Sequence, residues 1–186
     1  MRNTITNILQ QKQTVFTINQ LAALLGESDT SRIVKRMYYY VHSGQLLSLQ
    51  RGVYAKPGYD PEELACALYA PCYLSLEYVL QKAGVVFQYD SALTLVSYRN
   101  RTIEIDGHTI SYRQMRGEQI ANMSGIVNKG MVNIATPERA FLDVLYLNPQ
   151  YHFDNLHPLN RVEINRLLPL YRNKRMEERV ANMFKS

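Results

Sequence analysis

Apolar residues near the start of the chain recur at helical spacing in separate short stretches. The first stretch runs from Arg2 to Gln11, and its apolar stripe consists of Ile5, Ile8 and Leu9. A short extended segment, TVF, follows it. Thr17 and Gln20 then have the spacing of a capping box, in which each side chain satisfies a backbone group of the other. Gly26 ends the second stretch, whose apolar positions are Ile18, Leu21, Leu24 and Leu25. The pattern predicts two short helices joined by an extended piece.

A third helix is predicted over SRIVKRMYYYVHSG, ending at Gly44. At about 100° per residue, two opposite arcs separate by polarity. The expected buried arc contains Ile33, Val34, Met37, Tyr40 and Val41. The opposite arc contains Arg32, Lys35, Arg36, Tyr39 and Ser43. Of the three consecutive tyrosines, Tyr39 is the one that we expect to face outward.

The segment QLLSLQRGVYAKP predicts a β-hairpin, with strands at 46–49 and 53–55 and a turn at 50–52. Pro57 and Gly58 close this region. A helix, a capped helix, a basic helix and a hairpin therefore follow one another in order. That order is typical of a winged helix-turn-helix domain, which we predict for residues 1–58.

From Tyr59 onward the pattern changes to alternating helices and strands. Helices are predicted from Asp60 to about Ala70 with Glu63 in a capping role, over LEYVLQKA after Ser75, over PERAFLDVLYL, and as a pair from Pro158 to Phe184 interrupted at Pro169. Strands are predicted over VVFQY, LTLVSY, RTIEID and HTISYRQM, with a turn at Asp106-Gly107 and a short strand at Asn133 to Ala135. We expect an α+β protein in which residues 59–186 form a mixed α/β domain with a mainly antiparallel sheet.

Charge is distributed unevenly between the two predicted domains. Residues 1–58 contain Arg2, Lys12, Arg32, Lys35, Arg36, Arg51 and Lys56 against Glu27 and Asp29, and the rest of the chain is balanced. Clustered cations near phosphates displace counterions and favour binding to a polyanion. The sequence therefore predicts that the first domain binds double-stranded DNA.

Five side chains are the candidate DNA contacts. Arg32 and Arg36 are expected to make bidentate contacts to guanine, and Lys35 to bind a phosphate. Tyr39 is expected to contact a phosphate or a thymine methyl group. Arg51, at the tip of the wing, would reach a phosphate or the minor groove.

Signals for other classes of protein are missing. The sequence has no nucleophile elbow, glycine-rich phosphate loop, zinc-binding helix motif or clustered metal ligands. We therefore expect neither an enzyme nor a cofactor or metal site. Arg139 and Asp143 have the spacing of a surface ion pair on a helix. We also expect a cytoplasmic protein without a membrane span, in which Cys66 and Cys72 are reduced and buried.

Three segments in order, RGVYAKPG, YLSLEYVLQKAGV and ATPERAFLDVLYL, resemble the AbiEi-type antitoxins of type IV toxin-antitoxin systems. They span about residues 51 to 147. The resemblance implies an amino-terminal winged helix that represses its own operon by binding operator DNA. It also implies a carboxy-terminal domain that counteracts a nucleotidyltransferase-like toxin without requiring a stable complex with it. By the same resemblance, Arg32, Lys35, Arg36 and Tyr39 fall on the recognition helix and Arg51 in the wing.

Two other functions are compatible with the pattern. The second domain of a winged-helix regulator would be a small-molecule sensor if it enclosed a tyrosine-lined cavity with converging polar groups. An adaptor that binds only protein would instead have the basic helix buried or paired with acidic neighbours.

Overall fold

The structure, a computed structural model, describes residues 4–185 of the chain. The α-helices are α1 (Thr4–Gln10), α2 (Ile18–Leu25), α3 (Thr30–His42), α4 (Pro61–Leu68), α5 (Leu76–Lys82), α6 (Gly117–Ala121), α7 (Pro137–Leu147), α8 (Arg161–Leu167) and α9 (Lys174–Met183), with a 3-10 turn at Leu168–Tyr171. The strands are β1 (Val15–Thr17), β2 (Leu47–Gln50), β3 (Val53–Ala55), β4 (Cys72–Leu74), β5 (Leu93–Ser97), β6 (Arg101–Ile105), β7 (His108–Gln114), β8 (Ile126–Lys129) and β9 (Val132–Ala135). The chain is an α+β protein, as predicted. Arg2, where the first helix was predicted to begin, lies outside the described residues.

The first three helices share one core with a small sheet. The strands of that sheet lie in the order β1-β3-β2, and both pairings are antiparallel. Each helix contributes buried side chains to the core, which contains Ile5, Ile8, Phe16, Leu21, Ile33, Met37, Leu46 and Tyr54. Burial of these apolar groups is what holds the short helices in place, since helices of this length are marginal alone.

The predicted ends of α2 follow from local hydrogen bonds. The Thr17 side chain accepts from the backbone N–H of Gln20, and the Gln20 side chain accepts from the backbone N–H of Thr17 at 2.8 Å. Gly26 ends the helix at a φ of 62°, in the left-handed region that favours glycine. The predicted capping box and the glycine stop are both confirmed.

Two apolar residues that were predicted to be buried are exposed. Leu9 on α1 is about half exposed, and Val34 on α3 is 43% exposed. Both flank the buried stripe of their helix, and only Ile33 and Met37 are buried on α3. A three-helix core covers a narrower arc of each helix than the periodicity predicted.

The second sheet is mixed. Its strand order is β6-β7-β5-β4-β9-β8. Three pairings are antiparallel, but β5 pairs with β7 and β4 pairs with β9 in parallel. The second strand of the β6-β7 hairpin, and not the first, lies next to β5. This placement makes β7 run parallel to β5. The prediction of a mainly antiparallel sheet is therefore only partly met.

The predicted strand VVFQY does not form. Val85 and Val86 are buried, whereas Phe87 and Tyr89 point into solvent. The Val85 carbonyl accepts from the backbone N–H groups of Asp154 and Asn155, at 3.1 Å each, instead of from a neighbouring strand. A distant loop thus satisfies the backbone of this apolar segment.

Arg139 and Asp143 form a buried ion pair, which corrects the prediction of a surface pair. Both side chains are fully buried, and Arg139 Nε lies 3.3 Å from Asp143 Oδ1. Asp143 also accepts hydrogen bonds from the hydroxyls of Tyr73, Ser75 and Tyr171, at 3.0, 2.7 and 2.6 Å. The Arg139 guanidinium donates to backbone carbonyls of Gln119, Ser124 and Asn122. The pair therefore links α7 to β4, α6 and the 3-10 turn.

Side chains from both sides of Gly58 share a second core cluster. Val15, Val53 and Ala55 pack with residues of α4 and the larger sheet, namely Leu64, Ala65, Cys72, Leu74, Leu93, Leu95, Ile110, Tyr112 and Val132. Glu63 does not cap α4 as predicted. Its carboxylate accepts from the backbone N–H groups of Thr14 and Val15, at 2.6 and 3.1 Å. The boundary between domains 1–58 and 59–186 stays a prediction, and α4 contacts β1 across it.

Candidate nucleic-acid interface

Helix α3 carries four of the five predicted DNA contacts on one exposed face. Arg32, Lys35, Arg36 and Tyr39 are all exposed. The side chains of Arg32 and Arg36 are 68% and 46% exposed. Nothing in residues 4–185 covers this face, so a duplex can approach it.

The start of α3 is set by Asp29. Its carboxylate accepts from the backbone N–H and the hydroxyl of Ser31, at 2.9 and 2.6 Å. These hydrogen bonds hold the pKa of the Asp29 carboxyl below its usual range. The cap fixes the helix one turn before the first candidate contact.

Two acidic residues beside α3 engage its arginines. Glu27, which is mostly buried, lies 3.9 Å from both Arg32 Nη1 and Arg36 Nη2. Asp29 lies 3.4 Å from Arg32 Nε. Because the arginine ends of these pairs are open to solvent, each pair contributes at most about 1 kcal/mol. Contacts to phosphates or bases can therefore replace these ion pairs. Lys35 makes no ion pair with any described residue.

Arg51 stands apart from the four residues on α3. It occupies the turn between β2 and β3 and is exposed. The next residue, Gly52, takes a φ of +80° and accepts a hydrogen bond from the backbone N–H of Ile18, the first residue of α2, at 2.9 Å. The turn is therefore anchored beside α2, and no hydrogen bond or ion pair within residues 4–185 joins Arg51 to α3.

The sequence analysis did not identify Tyr38 as an exposed residue beside the candidate DNA contacts. It is 63% exposed, close to the 67% of Tyr39. Its ring packs on His42 with a centroid distance of 4.1 Å, while Tyr39 packs edge-on against Tyr40. With Val34, Tyr38 and His42 form an exposed row at intervals of four residues beside the cationic face. The sequence feature that indicates the exposure of Tyr38 is its angular position. It lies about 100° around the helix from Met37 and farther from Ile33, outside the arc that α3 buries.

Part of the amino-terminal positive charge is structural. Lys56 donates to the backbone carbonyls of Leu9 and Gln11 at the end of α1 and lies over the ring of Phe16. Burial lowers the pKa of the Lys56 ammonium group. This cation caps the end of α1 by hydrogen bonding to carbonyl groups there.

One cleft lies between the two predicted domains and has a single tyrosine in its lining. It has a volume of about 440 Å³ and lies between the β1-α2 region on one side and α4, β4 and β9 on the other. Its polar groups include Gln20, Glu63 and Asn133, and Tyr73 is the tyrosine among its lining residues. Buried tyrosines such as Tyr112, whose hydroxyl donates to the Ala65 carbonyl, serve the core instead. The sensor alternative predicted an enclosed cavity within the second domain, and this cleft differs from it in both position and lining.

No family model matches the chain, and no curated protein matches it. The class that fold and geometry define is an α+β protein with an exposed cationic helix at its amino-terminal end. Within residues 4–185, no helix is long and apolar enough to cross a membrane.

Proposed function

We propose that the chain is a DNA-binding transcriptional regulator whose residues 1–58 act as a winged helix-turn-helix domain. The observation that carries the proposal is the exposed face of α3, on which three cations and Tyr39 lie together. The order α1-β1-α2-α3-β2-β3 and the β1-β3-β2 sheet support it, because winged helices combine three helices with a small sheet of this kind.

In the proposed complex, α3 enters the major groove, which admits an α-helix and presents distinct donors and acceptors for each base pair. Arg36 reads a guanine through its forked N–H groups, and Arg32 does the same closer to the start of the helix. Lys35 and Tyr39 hold the backbone, and Arg51 contacts a phosphate beside the groove. Each arginine on α3 leaves its acidic neighbour to make these contacts.

The first experiment measures how affinity for a fluorescent random-sequence duplex depends on salt. On a random-sequence duplex the two arginines of α3 pair with phosphates instead of a chosen guanine, so the four cations of the interface neutralise four phosphates. Each neutralised phosphate contributes about −0.9 to the slope of log K against log salt, which gives about −3.6. Fluorescence anisotropy between low and moderate salt gives this slope. A slope near zero would refute polyanion binding by this surface.

The second experiment separates base reading from charge. A preferred site is first selected from a random duplex library. Arg36→Ala is expected to weaken binding to that site by about 1–3 kcal/mol and to relax the preference at one base position. Arg175→Ala is the matched control, since Arg175 is an exposed arginine on α9, a helix that packs on a different core. Equal losses in both variants, or an unchanged selected site in Arg36→Ala, would remove Arg36 from the reading role.

A third variant tests the acidic neighbour. Glu27→Gln removes a negative charge that lies 3.9 Å from two candidate contacts. We expect tighter DNA binding, because the arginines no longer exchange an ion pair for a phosphate. Weaker binding in this variant would show that Glu27 positions the arginines and does not compete with the duplex.

The resemblance to AbiEi-type antitoxins adds a proposal about cellular role. We propose that the chain represses its own operon and counteracts a nucleotidyltransferase-like toxin, without a stable complex between the two proteins. Co-expression with a nucleotidyltransferase-like product of the adjacent gene tests this, and we expect growth to be restored. Rescue should persist in Arg36→Ala, because the proposal assigns neutralisation to residues 59–186. An adjacent gene of another class would contradict the antitoxin role and leave DNA binding to be judged by the salt experiment.

A further inference from the structure

Two free thiols line the cleft between the predicted domains. Cys66 lies on α4 and is half-buried, and Cys72 begins β4 and is buried. The Cys72 thiol lies 3.6 Å from the carbonyl oxygen of Cys66. The five intervening residues therefore form a loop that returns the Cys72 sulfur to the backbone of Cys66.

The surroundings of the two sulfurs differ. The neighbouring Cys72 side chain and the backbone of Asn133 lower the pKa of the Cys66 thiol against the opposing effect of burial. The neighbouring Cys66 side chain, together with burial, raises the pKa of the Cys72 thiol. Because the thiolate is the nucleophilic form of cysteine, Cys66 is the more reactive of the two.

Cys66 also lies one helical turn after Glu63 on α4. Residues three apart on a helix share a face, so Cys66 projects towards the same side as the carboxylate that holds the backbone of Thr14 and Val15. A change at Cys66 therefore acts close to the contact between α4 and β1.

We propose that Cys66 and Cys72 are an oxidation site that hydroperoxides convert to a reversible disulfide, and that the disulfide alters the contact between α4 and β1. The Cys66 thiolate attacks one peroxide oxygen, the O–O bond breaks, and Cys66 becomes a sulfenic acid as the leaving oxygen departs as water or alcohol after protonation. Cys72 sulfur then attacks Cys66 sulfur, the S–O bond breaks, and water leaves. The two sulfurs lose two electrons together and the peroxide gains them. A dithiol reverses the reaction by exchange.

The test uses the full-length reduced protein and hydrogen peroxide. Intact mass spectrometry is expected to show a loss of two hydrogen atoms, restored by dithiothreitol, and maleimide labelling under denaturing conditions should fall from two sites to none. In Cys72→Ser, Cys66 should stop at the sulfenic acid and be trapped by dimedone. In Cys66→Ser, Cys72 should give no dimedone adduct at the same peroxide dose. Full maleimide labelling after peroxide, or a dimedone adduct on Cys72 instead of Cys66, would overturn the site.

Two further measurements use the protein without substitutions, so their results do not depend on whether the cysteine variants fold. Peptide-resolved alkylation of the native protein by iodoacetamide is expected to be about tenfold faster at Cys66 than at Cys72. Equal or reversed rates would contradict the assignment of the nucleophile. Hydrogen exchange at the Thr14 and Val15 amides should differ between the reduced and the disulfide forms, and identical exchange would overturn the proposed effect on the contact between α4 and β1.

Discussion

Replacement of Asp143 by alanine tests the buried ion pair that links α7 to the rest of the second core. The substitution removes the acceptor of four hydrogen bonds, three from hydroxyls and one from Arg139. Every one of these donors is buried, so water cannot replace the lost acceptor without opening the core. The variant therefore measures what the arrangement contributes to the free energy of unfolding.

The size of the effect follows from the partners that remain. A buried donor that loses its acceptor costs about 1–3 kcal/mol, so three hydroxyls alone predict at least about 3 kcal/mol. Arg139 keeps three backbone carbonyl acceptors, which limits the penalty for its unpaired charge. The total matches the usual 3–5 kcal/mol for removal of one partner from a buried pair. Asp143→Asn, which keeps an acceptor oxygen, should cost less, about 1–3 kcal/mol.

Urea unfolding followed by circular dichroism measures these changes. The matched control is Glu163→Ala, because Glu163 and Arg166 form an exposed ion pair at 2.7 Å on α8. Such a pair contributes at most about 1 kcal/mol. If Asp143→Ala were no more destabilising than the control, the hydroxyl and guanidinium contacts could not be buried as observed. A double variant with Arg139→Ala should be less destabilised than the sum of the two single variants, by about 0.5–3 kcal/mol, because no unpaired charge is left.

Two further predictions concern backbone conformation and alkaline pH. In urea unfolding, Gly125→Ala should be more destabilising than Gly130→Ala by at least about 1 kcal/mol. Both glycines have a positive φ, but only at Gly125 would the added Cβ lie 2.9 Å from a Leu167 methyl group. Equal losses of stability would refute the close contact. Burial, with the hydrogen bond to Glu62, raises the pKa of Tyr78 to about 12. A pKa that is higher in the folded state contributes stability that is present below pH 10 and lost as the pH rises from 10 to 12. The free energy of unfolding should therefore decline less steeply over that interval in Tyr78→Phe than in the unmodified protein. Parallel curves would contradict the prediction.

The elements that could be predicted from the sequence depend on interactions between near neighbours. The capping box of Thr17 and the glycine stop after α2 involve residues a few positions apart. The outward position of Arg32, Lys35 and Arg36 likewise follows from the angular spacing of residues on one helix. Such features require no knowledge of what packs against the helix.

The features that were predicted wrongly depend on distant partners. The charges of Arg139 and Asp143 favour solvent in isolation, and their burial is possible because Tyr73, Ser75, Tyr171 and three backbone carbonyls converge on them from other elements. Glu63 has the spacing of a cap but accepts instead from the backbone N–H groups of Thr14 and Val15, 49 and 48 residues away in sequence.

The amino-acid sequence by itself determined where most helices begin and end and which face of α3 carries charge. The tertiary structure decided which of those faces are covered, how the strands of the larger sheet pair, and where the two thiols meet. The physical reason is the distance along the sequence over which each interaction acts. Hydrogen bonds within a turn are specified by adjacent residues, whereas burial depends on surfaces that the chain brings together only when it folds.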